Sequence, residues 1–70
     1  MTLELTVNGV GRPLPADPHV GALVAELTGG VPPAGIAVAV NDDVVPRSAW
    51  PSTPLHPGDQ VEVLTAMQGG

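Results

Sequence analysis

The side chains able to do acid–base, metal or nucleophilic chemistry are few and scattered. His19 and His56 stand far apart, and the chain has no cysteine, so metal-ligand spacing is missing. Both histidines are expected to be solvent-exposed, His19 in a first helical turn and His56 in a proline-rich loop. Neither Ser48 nor Ser52 sits in a nucleophile elbow, and there is no phosphate-cradling glycine loop. Asp42-Asp43 is a carboxylate pair only in sequence, because neighbours at a turn point apart. If the chain takes part in chemistry, its own backbone is the reactant.

The sequence ends LTAMQGG. Glycine lacks Cβ, so Gly69-Gly70 can thread a narrow tunnel in an extended form that other residues would block. The functional group at the tip is the α-carboxylate of Gly70. A carboxylate is a poor electrophile until one oxygen becomes a leaving group, so an ATP-using partner must activate it. Gly70 is therefore the candidate reacting residue, with Gly69 as its slim neighbour.

The remaining residues must present that tip. Residues 2–7, TLELTV, alternate, with Leu3, Leu5 and Val7 inward. Asn8-Gly9 predicts a hairpin turn, and Val10–Leu14 a second strand, short or at an edge because of Pro13. Asp17 reads as a helix N-cap with Pro18 at the first helical position. Val20, Leu23, Val24 and Leu27 then form one apolar stripe. Gly21 weakens the helix; Gly29-Gly30 closes it and Pro32-Pro33 forbids its continuation. Ile36–Val40 reads as a central strand, Asn41-Asp42-Asp43 as a turn and Val44-Val45 as a short strand stopped by Pro46. Arg47 to Gly58 is expected to be irregular, ending in a turn at Pro57-Gly58-Asp59. Gln60–Thr65 alternates again, with Val61 and Val63 inward and Glu62 and Leu64 outward.

One amphipathic helix and several one-faced strands can only bury against each other. The expected fold is α+β: a β-grasp, or ubiquitin-like, domain with a mixed four- to five-stranded sheet and one main helix on one face. Fold analogy supplies the pairing, with the last strand between the first and third. Residues 1–66 form the domain, and residues 67–70 a flexible tail.

Composition narrows the partners. The 70 residues include a single aromatic, Trp50, so the core must be Val, Leu, Ile and Ala; Trp50 is expected to fill a corner of it. The formal net charge is −5, and Arg12 and Arg47 are the two basic residues. Nucleic acid and anionic membrane are poor partners for such a chain, and a basic protein surface is a good one. No secretory leader or membrane-spanning run is evident, and a cytoplasmic location is expected.

Several stretches carry a resemblance when taken in order: Ala39-Val40-Asn41, Val45-Pro46-Arg47 with Trp50, Leu55 with Gly58-Asp59, and the final Gln68-Gly69-Gly70. Through them nearly the whole chain resembles the sulfur-carrier proteins of thiamine biosynthesis, the ThiS family. The proline-rich Pro51–Pro57 segment departs from that pattern. The resemblance implies a carrier that is not itself an enzyme and binds no cofactor. An E1-like adenylating enzyme would use ATP and magnesium to make the Gly70 acyl-adenylate. A cysteine desulfurase or rhodanese-type protein would deliver sulfur as persulfide. The resulting thiocarboxylate would serve thiazole synthase. Gln68, beside the two glycines, would contact partners. Two alternatives stand: the small subunit of molybdopterin synthase, which shares the tail chemistry, and a ubiquitin-like binding module whose tail never reacts.

The outward faces of the strands nominate a docking surface. Glu4, Thr6, Ala37, Ala39, Glu62 and Leu64 should point away from the helix, with Leu64 beside the two alanines. Leu64, Ala37 and Ala39 are the candidate partner contacts there. Arg47 is a further candidate, for an acidic patch on a partner.

Overall fold

The computed structural model describes residues 3–30 and 35–65. The expected tail, with Gln68, Gly69 and Gly70, lies outside these residues, as do Pro32-Pro33 and the division at residue 66.

Two turns with left-handed backbone fold the strands back. Asn8 and Gly9 have φ of 52° and 82°, the turn geometry whose twist matches a hairpin. It joins β1 (Glu4–Val7) to β2 (Val10–Pro13) in antiparallel register from Val7↔Val10 to Glu4↔Pro13. The Leu14 N–H donates to Leu3 O at 3.0 Å. Bonded pairs alternate along a ladder, so Pro13 occupies a non-bonded position and its missing N–H costs nothing. Asn41 and Asp42, with φ of 51° and 73°, make the second turn. It joins β3 (Ile36–Val40) to β4 (Asp43–Val45). The last strand, β5 (Gln60–Thr65), lies between β1 and β3, parallel to the first and antiparallel to the second. The sheet order is β2-β1-β5-β3-β4. With one helix across one face, this is the β-grasp arrangement.

The helix, α1, runs Val20–Thr28 and starts later than the sequence suggests. His19, not Asp17, is the N-cap: its Nδ1 accepts from the Ala22 N–H at 3.1 Å. The cause is a tertiary pairing that holds the chain extended through residue 19. The Leu55 N–H donates to Pro18 O, the Val20 N–H donates to Thr53 O, and His19 bridges Pro54. Asp17 acts one step back, with Oδ2 3.2 Å from His19 Nε2. His19 is thus a half-buried capping group rather than a free surface residue. Gly21 has a packing reason too: a Cβ there would sit 3.2 Å from the His19 ring and 3.6 Å from Pro51 Cα. The helix closes at Gly29, φ 80°, whose N–H donates to Ala25 O.

The buried core is Leu5, Val7, Val20, Leu23, Val24, Val38, Val45, Trp50, Leu55 and Val61. Leu27, Ile36, Val40 and Val63 pack at its margin. Leu3 is a correction: it precedes β1 and is 52 % exposed. Alternation tells which way a residue points, not how far the helix cover reaches. The segment expected to be irregular is a second correction. Arg47–Ser52 forms a 3₁₀ helix that packs against α1. The Ala49 N–H donates to Pro46 O at 2.8 Å, and the Thr53 hydroxyl donates to Ala49 O at 2.7 Å. So short a helix needs few N–H donors, and Pro51 is tolerated. It delivers Trp50 to the core, where the indole N–H donates to Val45 O at 3.0 Å.

Candidate functional site

The site grows from the alternation of β5. With Val61 buried, the residues next to it in phase with the open face are Glu62 and Leu64. Across the ladder, Leu64 pairs with Ala37 and Glu62 with Ala39. Ala39 in turn pairs with Val44 of β4. Leu64 is 66 % exposed and Val44 78 %, and the alanines between them are too small to fill the space. The result is a shallow apolar depression lined by Ala37, Val38, Ala39, Val44, Glu62 and Leu64.

Leu64, Ala37 and Ala39 are thus brought together as expected. Val44 was missed, because a three-residue strand is too short to phase from sequence, although its buried neighbour Val45 fixes it once the pairing is known. Arg47 is not part of this group. Its guanidinium lies over the Trp50 ring, 5.2 Å from the centroid, beside the helical layer. Gln68, Gly69 and Gly70 lie outside the described residues.

One acidic side chain belongs to the apolar patch, and others lie farther off on the sheet. Glu62 lines the patch, and Glu4 and Thr6 occupy the same face on β1, since Leu5 and Val7 are buried. Asp42 lies in the β3–β4 turn; Asp43 opens β4 in phase with buried Val45, on the helix side of the sheet. Among the described residues, no group of three or more His, Cys, Asp or Glu side chains could hold a metal ion. Among the same residues, no helix is long and apolar enough to cross a membrane.

Two turn asparagines grip β5, at its start and past its middle. Asn41 Oδ1 accepts from the Gln60 N–H at 3.0 Å, and its Nδ2 donates to Asp59 Oδ1 at 3.1 Å. The second Asp59 oxygen accepts from the N–H of His56, which is exposed, at 2.8 Å. Farther along the strand, Asn8 Oδ1 accepts from the Val63 N–H at 2.9 Å, and Asn8 Nδ2 donates to Val63 O at 3.1 Å. Sequence reasoning read both asparagines only as turn formers.

The family model that matches this fold is that of the ThiS family, over residues 5–70. The chain belongs to the ThiS family. The match runs from β1 through Gln68-Gly69-Gly70, so the resemblance read from the scattered motifs holds over the domain and the tail together. A solved relative is the thiamine biosynthesis protein (ThiS) from Geobacter metallireducens. It superposes with a TM-score of 0.74 at 34 % identity, covering 96 % of this chain and 99 % of that one. A curated relative is a thiazole synthase of Paramagnetospirillum magneticum, 34 % identical over 68 residues. The alignment takes in 97 % of this ThiS-family chain but 20 % of that protein, so the chain spans about a fifth of its length.

Proposed function

We propose that this chain is a sulfur carrier of thiamine biosynthesis, a co-substrate rather than a catalyst, with the Gly70 carboxylate as its reacting group. The observation that carries the reading is the reach of the family match, which takes in the β-grasp domain and the diglycine end as one unit. The thiamine assignment draws support from the name of the solved relative, and thiazole synthase as acceptor from the name of the curated one. A carrier-like segment within a chain of that name is what a carrier and acceptor that work on each other would produce.

The cycle follows from carboxylate chemistry. A Gly70 oxygen attacks the α-phosphorus of ATP on an E1-like enzyme, and pyrophosphate leaves with magnesium balancing its charge. The terminal sulfur of a persulfide, held by a cysteine desulfurase or rhodanese-type donor, attacks the acyl carbon and AMP departs. A second thiol on the partner cleaves the remaining S–S bond, which frees the thiocarboxylate and leaves a disulfide behind. The thiocarboxylate then gives its sulfur to thiazole synthase. Gly69 keeps the approach narrow, and Gln68 is a partner contact beside it. The open face centred on Leu64, Ala37 and Ala39 is the docking surface: apolar at its middle and acidic at its flank, it suits a partner with an apolar contact and a basic rim. Arg47, stacked on Trp50, is a separate contact, for an acidic patch on a partner. The cytoplasm, where ATP is at hand, is the proposed compartment.

The test is intact mass after incubation with ATP, magnesium, the adenylating enzyme and a persulfide donor. The expected product carries one sulfur in place of one oxygen. A chain extended by one residue after Gly70 should show no ATP–pyrophosphate exchange, with its circular dichroism unchanged. An unmodified wild-type mass would leave a binding module as the reading. Sulfur transfer to molybdopterin synthase instead of thiazole synthase would reassign the pathway.

A further inference from the structure

The parallel ladder between β1 and β5 is short. It holds Thr6↔Gln60 and Val7↔Val61 and then stops, because the chain turns away at Asn8-Gly9. Yet β5 continues to Thr65, paired on its other flank with β3 as far as Ile36↔Thr65. Beyond Val61, no further β1 residue is available to hold the flank that β1 covered. The Asn8 carboxamide takes the vacant place. It offers one acceptor and one donor, as a peptide group does, and it satisfies both the N–H and the C=O of Val63. Asparagine suits the position twice over, since it also tolerates the positive φ of the turn.

We propose that Asn8 is a positioning residue for the C-terminal tail. By fixing the Val63 backbone between its own side chain and β3, it sets the direction in which β5 leaves the sheet. Leu64 of the docked face is the next residue, so the clamp ties that face to the strand from which the tail departs. Asn41 provides the internal comparison: it makes the same kind of side-chain bond to β5, but at Gln60, the end remote from the tail. The inference rests on the sulfur-carrier reading above.

Asn8→Gly keeps the turn conformation and removes the carboxamide. Asn41→Gly does the same at the far end. Both should lower the melting temperature by similar amounts. Only Asn8→Gly should slow adenylation, with kcat for ATP–pyrophosphate exchange falling about ten- to a hundred-fold, the scale of a small misplacement transmitted from a distance. KM for the carrier should change little, since the docking face is untouched. Asn8→Asp, which keeps the acceptor for the Val63 N–H and loses the donor, should fall between. Amide exchange supplies a readout independent of the enzyme: Asn8→Gly should speed exchange at Val63 at least about tenfold relative to Val38. Wild-type kcat in Asn8→Gly, or an equal loss in Asn41→Gly, would overturn the positioning role. Unchanged exchange at Val63 would overturn the clamp itself. If the wild-type chain is not adenylated at all, the carrier reading fails and takes the positioning role with it, while Val63 exchange still decides the clamp.

Discussion

Val61 and Leu64 stand three residues apart in the same strand and live in opposite environments. Val61 is 1 % exposed and Leu64 66 %. On the helix side of the sheet, Leu5, Val7, Val38 and Val61 meet Val20, Leu23 and Val24 of α1 and Trp50 of the 3₁₀ helix. On the other side, Leu64 and Val44 flank two alanines with nothing in the described chain above them. In a domain this small, one covered face must supply nearly all the stability. The open face is then released from packing constraints, and its composition can answer to a partner instead.

Two adjacent residues of β3 test that division most severely. Val38 belongs to the core and Ala37 to the open face. Val38→Asp puts a carboxylate into a core that, among the described residues, holds no buried charge, at a cost of several kcal/mol, and should abolish cooperative urea unfolding. Ala37→Asp should cost about 1 kcal/mol or less, within the spread of strand propensities. Similar losses in both would mean that the open face is covered by something that contributes to stability.

A smaller effect is expected where the covered face contains its one aromatic. Trp50→Phe keeps most of the apolar bulk but removes the donor to Val45 O. The carbonyl keeps its place in the β3–β4 ladder, so the loss should be that of one hydrogen bond, about 0.5–1.5 kcal/mol, read as a lower urea midpoint with an unchanged slope. No loss would show that the indole N–H bond is dispensable and that bulk alone holds the 3₁₀ helix down.

These contrasts follow what the sequence could and could not show. The strands were legible because a period of two survives in runs such as IAVAV and QVEVLT, and the Asn8-Gly9 turn because its residues match the φ values required. The pattern also put Leu64 and the two alanines on one face. What escaped was set by contacts between distant segments. The helix begins at Val20 because the chain at residues 53–55 pairs with residues 18–20, a competition no local signal announces. The 3₁₀ helix was hidden by Pro51, which reads as a breaker, and Leu55 by the prolines around it. Asn8 and Asn41 looked like turn formers because their second role lies 55 and 19 residues away, at Val63 and Gln60.

Gly21 carries the comparison to the junction of α1 and the 3₁₀ helix. Helix propensity alone predicts that Gly21→Ala stabilises by about 1 kcal/mol. The new Cβ would press on the His19 ring at 3.2 Å, and that ring is held from both sides by the Ala22 N–H and Asp17. The expected change in stability is therefore near zero or a slight loss. A full gain of about 1 kcal/mol would show that His19 yields and that the cap is loose.

The smallest effect on stability is expected at Leu64, and it is the most informative. Leu64→Arg adds no buried charge, since the side chain already stands in solvent beside Glu62. Its unfolding free energy should stay within about 0.5 kcal/mol of wild type, as for surface positions generally. Binding should respond differently. An apolar anchor at the centre of an interface is worth about 2 kcal/mol or more, roughly a thirty-fold change in Kd. The arginine would also face the basic rim that the acidic flank of this surface selects. Calorimetric titration against the adenylating enzyme and against thiazole synthase should show that loss for both, because the surface at the head of the tail is the same in either complex. Wild-type affinity for both partners would mean that the exposed leucine is incidental. The open face would then be only the uncovered back of a small sheet, with recognition confined to the tail.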